Sequence, residues 1–396
     1  MQRLNVPVSR RLLDAIHTSV EGASGSTKQL AQAVSELSRI FTKERDRLSV
    51  SYLDSSHLGA AYLQYFLPVN LAKIQRLLNE MPTPERDERF SVLDLGSGPG
   101  TGALAALDWW QQQALPYALS VTAVDGSKAA LRQARQLWDR YCQAATVGAA
   151  SLQTYDGDLE RRVWLEQVKQ RAPFDLIILA NCLNELFTGA QDPIEMRTCL
   201  VTEALSLLAP HGTMLIVEPA LRETSRALLH MRDRLLQEKR CTIYSPCLHE
   251  NGCPALVSPT DWCHEERAWE PPAVIQQIDA EVGFIKDALK FSYLLLRKDG
   301  KAIVDRQPNV YRVVSELRVM KGEKRAWLCN EQGRQEVGRQ DRLASSSNEA
   351  FDQWHRGVIV QIDKVVHKER HGKLSTLGRI ERDTGVQIVR SAWPIQ

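Results

Sequence analysis

Val92-Leu93-Asp94-Leu95-Gly96-Ser97-Gly98-Pro99-Gly100-Thr101-Gly102 is the stretch that decides the fold. Ser91 to Leu95 reads as a short buried strand, and Ala103 to Gln113 as a helix. Between them lie four glycines in seven positions. Glycine accepts positive φ and lets the backbone approach a bound molecule with no Cβ in the way. A helix starting straight after such a turn aims its unpaired N–H groups at the same place. The dinucleotide spacing G-x-G-x-x-G fails here: counted from Gly96, its last position is Thr101.

Working outward, strands alternate with helices. Leu119 to Val124 reads as a second strand and Lys128 to Cys142 as a second helix. Leu152 to Tyr155, Phe174 to Ala180 and Thr213 to Val217 read as strands three to five. This alternation predicts an α/β, Rossmann-like doubly wound parallel sheet. Thr242 to Tyr244 and Leu289 to Arg297 add two strands, with a cysteine-rich insertion over 241–270 between them. Residues 1–85 read as a helical region, with Leu30, Ala33, Val34, Leu37 and Ile40 at helical spacing. Pro82-Thr83-Pro84 and the charged run Glu85 to Arg89 read as a linker into a domain over 86–300. From about Val310 the pattern changes to short strands punctuated by glycines: Val310 to Val319, Ala326 to Cys329, Val358 to Val366, Ile380, and Val386 to Val389. Residues 301–396 are therefore expected to form a small, OB-like β-barrel.

The second strand ends in Asp125, where a carboxylate can accept both ribose hydroxyls of an adenosine cofactor. NAD and S-adenosylmethionine (SAM) sites share that feature. Asp94 in the D-L-G-S-G-P-G turn separates them, because it resembles the SAM-binding motif of class I methyltransferases. The expected cofactor-binding set is Asp94, Gly96, Ser97, Gly98, Gly100, Asp125, Asp158 and Asn181. Asp158, after strand three, resembles the acidic position that meets an adenine edge. After strand four the chain reads Asn181-Cys182-Leu183-Asn184-Glu185-Leu186, without the N/D-P-P-Y/F tetrad of nucleic-acid amino-methyltransferases. Asn181 and Asn184 suit a pocket wall or a helix cap. Cys182 reads as a small buried thiol. No catalytic residue is assigned.

Cys241, Cys247, Cys253 and Cys263 fall within 23 residues. In a cytoplasmic protein such a cluster reads as metal ligands before disulfides. The spacing C-x5-C-x9-C from Cys247 lacks the short knuckles of structural zinc sites, whereas iron–sulfur clusters tolerate wider loops. Cys329 is the expected fourth ligand, with Cys241, His249 and His264 as alternatives.

Composition is that of an ordinary globular chain: 43% hydrophobic and 25% charged over 396 residues. Neither a spanning apolar stretch nor a signal-peptide core is evident, so no membrane contact and a cytoplasmic setting are expected. The net charge of +2 hides an asymmetry. From Arg297 onward there are 20 Lys/Arg against 13 Asp/Glu, which points to a polyanion contact by the C-terminal module.

The residues resemble a known family, the mitochondrial small-ribosomal-subunit methyltransferase-like proteins and their bacterial relatives. The similarity is carried by Asp94 to Gly102, Leu183 to Leu186, Val217-Glu218-Pro219, Pro246-Cys247-Leu248-His249, Cys253-Pro254, Asp261 to His264, Lys290 to Leu294, Tyr311 to Ser315 and Ala61 to Tyr65. It implies action on, or binding to, ribosomal RNA of the small subunit, in the mitochondrial matrix if the source is eukaryotic. It also implies a [4Fe-4S] cluster on Cys247, Cys253, Cys263 and Cys329, with zinc as the alternative. Three readings follow: a SAM-dependent methyltransferase, a catalytically silent RNA-binding assembly factor, or a redox sensor built on the cluster.

Overall fold

The computed structural model describes residues 8–20, 26–44, 55–82, 84, 88–145, 147–284, 287–370 and 372–391. Its first sheet is built from β1 (Arg89–Leu95), β2 (Ala118–Asp125), β3 (Ala150–Asp156), β4 (Phe174–Ala180), β5 (Leu208–Pro219), β6 (Thr242–Ser245), β7 (Glu265–Ala268) and β8 (Ala288–Arg297). The strand order is β3-β2-β1-β4-β5-β8-β6. β1 to β5 are all parallel, as the alternation predicts. β8 is not: it runs antiparallel to β5, so the sheet is mixed rather than wholly parallel. Hydropathy marks Leu289 to Arg297 as a buried strand but carries no information on its direction, which is why the sequence misses this. β6 and β7 share the far edge of β8, β7 on Ala288 to Phe291 and β6 on Leu295 to Arg297.

Helices cover both faces. One face receives Thr101–Gln112 and Lys128–Ala145, and on it the N-terminal helices lay Leu12, Ile16, Leu37, Leu63, Leu71 and Leu77, all fully buried. The other receives Pro193–Ser206 and Arg222–Gln237 around Trp164, Leu205 and Leu235. Burial on both faces explains the apolar run Leu176 to Ala180 of β4. The expected linker around Pro82 lies partly outside the described residues.

The C-terminal strands are β9 (Val310–Val313), β10 (Arg318–Met320), β11 (Glu323–Asn330), β12 (Gly333–Gln340), β13 (Ile359–Ile362), β14 (Val366–Arg370), β15 (Lys373–Arg379) and β16 (Val386–Arg390). They pair as β14-β15-β12-β11-β9-β13-β16, with β10 on β11. Among the described residues no ladder joins β14 to β16, so closure into a barrel is not seen. The expected strands Val310 to Val319 and Val358 to Val366 each break in two. β12 and β15 escape the sequence reading because Gly333-Arg334-Gln335-Glu336-Val337 offers one apolar residue and no alternation. Pairing on both sides, with β11 and β15, makes β12 a strand regardless. Among the described residues no helix is long and apolar enough to cross a membrane.

Candidate functional site

The strand order reverses between β1 and β4, and ligands of open α/β sheets bind outside the carboxyl ends of the strands at such a point. The glycine turn sits there. Gly96, Gly98 and Gly100 all have positive φ, at +67°, +53° and +89°. A Cβ on Gly98 would meet nothing within 4 Å, so the turn leaves open space on that side. Asp125, at the end of β2, accepts the amides of Gly98 at 2.7 Å and Ser127 at 2.8 Å. Burial pushes its carboxyl up, against the pull of these two amides.

Asp94 lies underneath rather than beside the opening. It is 1% exposed and accepts the Ala103 amide at 2.8 Å, a carboxylate set against a helix N-terminus. Burial pushes it up to about 7. Its Oδ1 and the Ser97 Oγ are buried without a hydrogen-bond partner, which is unfilled polar capacity at the turn. Open room at Gly98, the unpartnered Ser97 hydroxyl and the Asp125 carboxylate fit the amino-acid and ribose ends of a SAM molecule. Asp158, after β3, is exposed and pairs with Arg161 at 3.4 Å. Asn181 follows β4 in the left-handed region, φ +57°, its amide bonded to Val217 O.

Two residues given no role in the sequence reading shape this cleft. Glu218, at the end of β5 and 2% exposed, accepts the amides of Leu183 and Asn184, each at 3.1 Å. It thereby fixes the loop after β4, and burial pushes it up to about 7. Tyr62 starts a π-helical turn, Tyr62–Phe66, in the N-terminal region, and its hydroxyl, pushed up to about 12 by burial, lies near Thr101 and Asn70. Such turns often mark functional positions. Only the fold brings Tyr62 near Thr101, inside the glycine turn. Cys182 packs on Gly96, and burial lifts its thiol well above the ordinary range, so it is an inert wall.

The second site is a cavity of about 730 Å³ including its mouth. Cys247, Cys253, Cys263 and Cys329 all line it, with His249, His264, Trp262 and Arg334. Cys329 reaches the cavity from the other sheet. Cys241 is buried at the start of β6 and does not line the cavity. His249 does, with Nε2 3.7 Å from the Cys329 Sγ, so it stays in competition for the fourth position. Burial pushes the Cys263 thiol up to about 11 and drives those of Cys253 and Cys329 higher. Thiols in that state need a cation to become ligands. Burial also holds His249 and His264 down, at about 4, so both imidazoles are neutral. Their Nδ1 atoms and the Trp262 Nε1 are buried without partners. Four thiols and these orphaned nitrogens suit a sulfur-rich group. Yet among the described residues no three His, Cys, Asp or Glu side chains are grouped to hold a metal ion as they stand.

The insertion is held from the helix Arg222–Gln237. Arg226 donates to the carbonyls of Ala255, Ser258 and Asp261, and Arg232, fully buried, to those of His249 and Asn251. Asp233 accepts the Cys253 amide at 3.0 Å. Irregular backbone carrying few apolar residues thus gets its order from borrowed side chains.

A model of the family described as mitochondrial small ribosomal subunit Rsm22 matches residues 57–340. No curated protein matches the chain. Among solved structures, the fibrillarin/Nop5p complex is similar at 15% identity, over 58% of this chain and 82% of that one, with a TM-score of 0.31. A methyltransferase from Pyrococcus furiosus is 16% identical over 57% and 83%, with a TM-score of 0.33. An O-methyltransferase family protein from Burkholderia thailandensis is 12% identical over 66% and 64%, with a TM-score of 0.33. At such TM-scores these likenesses carry no argument about what this chain does.

Proposed function

Because the chain belongs to the mitochondrial small ribosomal subunit Rsm22 family, we propose that it is a SAM-binding, methyltransferase-like protein that acts on or binds small-subunit ribosomal RNA during ribosome assembly or translation. The observation that carries the cofactor is the open glycine turn at the point where the strand order reverses, with Asp125 bonded to its Gly98 amide. Gly96, Ser97, Gly98 and Gly100 would cradle the amino-acid end. Asp125 would take the ribose, Asp158 the adenine edge, and Asn181 the wall toward the acceptor, while Asp94 holds the turn from below. Bound SAM would supply an electrophilic methyl group.

The thiol cavity is proposed to take a [4Fe-4S] cluster on Cys247, Cys253, Cys263 and Cys329. Supporting this over one zinc ion is the wide ligand spacing, C-x5-C-x9-C from Cys247. The C-terminal module, 301–396, is proposed as an OB-like RNA-binding unit, on the strength of its positive excess. The matrix is the proposed setting in a eukaryote and the cytoplasm in a bacterium.

A second reading, an RNA-binding factor without turnover, is favoured by one observation. The loop after β4, Asn181-Cys182-Leu183-Asn184-Glu185-Leu186, lacks the N/D-P-P-Y/F tetrad of nucleic-acid amino-methyltransferases, and its Cys182 is a buried thiol. Crosslinking the protein to RNA, followed by methyl mapping in a deletion strain, separates the two. Contact with the small subunit and a lost methyl group support the enzyme. Contact without a lost methyl group supports the silent factor, and crosslinks spread over unrelated RNA overturn both.

A further inference from the structure

Three of the four cavity thiols lie on stretches of chain tied to one buried charge cluster. Glu80, the last residue of the helix Leu67–Glu80, bonds Arg267 of β7 at 2.6 Å. Arg267 also reaches Glu265 at 3.3 Å, and Glu265 pairs with Arg312 of β9 at 3.0 Å. The Tyr293 hydroxyl of β8 donates to Glu80 at 2.5 Å and accepts from Arg312 at 3.0 Å. Every charged side chain in this group is 7% exposed or less, and the two carboxylates balance the two guanidinium groups.

Three residues of this cluster lie next to cavity thiols along the chain or across a ladder. Ser245, which donates to Glu80 at 2.5 Å, lies two residues before Cys247. Glu265 lies two residues after Cys263. Arg312 is the register partner of Cys329 in the β9–β11 ladder. Three other contacts bring the C-terminal sheet onto the insertion. Arg334 pairs with Asp261, Arg356 donates to the His264 carbonyl at 3.2 Å, and Asn251 donates to the Glu331 carbonyl at 3.3 Å. All three are more exposed than the buried charges and easier to break.

We propose that Glu265 and Arg312 are positioning residues for the thiol cavity. Through their buried ion pair they hold Cys329, on the C-terminal sheet, against Cys263, on the insertion. This rests on the reading of the cavity as a four-thiol site. A buried charge that loses its partner is left uncompensated and cannot be satisfied where it stands. The segments bearing these charges therefore dock together or not at all. The link to Glu80 makes the N-terminal helix part of the same docking, so the cavity is complete only when all three regions are seated.

The test is iodoacetamide labelling of the full-length, chelator-treated chain, read by peptide mass spectrometry. The variants are Glu265→Gln, and Arg312→Lys, which keeps the charge but loses the forked donors shared between Glu265 and Tyr293. Cys142, on the remote helix Lys128–Ala145, is the internal control. The expected result is labelling of Cys329 faster by about tenfold in both variants, with Cys142 unchanged. If Glu265→Gln fails to fold, Arg312→Lys decides alone. The proposal is overturned if Cys329 labels at the parent rate. It is equally overturned if Cys142 accelerates in step with Cys329, since the charges would then only hold the whole chain folded. Iron and zinc contents of the parent protein, measured separately, report on the four-thiol reading itself.

Discussion

The Gly98 amide donates to the Asp125 carboxylate at 2.7 Å, so the middle of the glycine turn is held by the end of the neighbouring strand. One side chain thus shapes the turn and, on the proposed function, would also take the cofactor ribose. Replacing it removes both contributions at once. Asp125→Ala should weaken SAM binding by about tenfold to a hundredfold, the range for loss of one or two charge-assisted hydrogen bonds. Titration calorimetry measures this, and a parent protein that binds no SAM would sink the cofactor assignment.

Two glycines of the turn should fail differently. A Cβ on Gly102 would collide with the Asp94 carboxylate, whereas one on Gly98 meets open space but needs positive φ. Gly102→Ala should therefore cost stability by overpacking, about 1–3 kcal/mol. Gly98→Ala should cost less in thermal unfolding and more in SAM affinity, because its methyl would occupy cofactor space. Equal losses of stability would contradict this division.

Asp94 also predicts a pH dependence. Its folded carboxyl titrates near 7, above the ordinary value of 3.8, because burial disfavours the charge. A raised acid binds its proton more tightly folded than unfolded. Its contribution is most favourable below about 4 and is lost as pH rises to about 7. Glu218 acts in the same direction over the same window. Asp94→Asn should match the parent in stability at pH 4 and exceed it at pH 7 to 8, by an amount on the order of 3 kcal/mol. Denaturant melts at both pH values would show it; a constant difference would disprove the assignment.

For the cavity, Cys253→Ser should abolish the brown colour and the iron and acid-labile sulfide of anaerobically purified protein. Helix content should be kept, since Asp233 holds the backbone amide at that position and not the thiol. A colourless parent carrying one zinc ion would replace the cluster with a structural zinc.

RNA affinity should fall steeply and linearly on a log–log plot against salt, because contacts from the basic C-terminal module release counterions. Filter binding at several ionic strengths checks this. Salt-independent binding would remove the polyanion argument.

What the sequence determined by itself is local. The strand, glycine turn and helix from Arg89 to Gln112, and the parallel order of β1 to β5, follow from hydropathy period and from glycine's freedom, which neighbours along the chain suffice to express. Asp125 was legible for the same reason, as the residue that ends the next strand. The cysteines of the insertion showed as a cluster because they are close in sequence. Cys329, 66 residues after Cys263 and on a different sheet, is the fourth group the sequence names, but only the fold shows that it and its alternative His249 both reach the cavity. The antiparallel β8, the charge-rich β12, Tyr62 over the turn and Glu218 under the loop were equally invisible. Each depends on contacts between distant segments, and only tertiary structure creates them. The pairing of Glu265 with Arg312 is the clearest case: as sequence they are two more surface-type charges, and only burial against each other gives them a role.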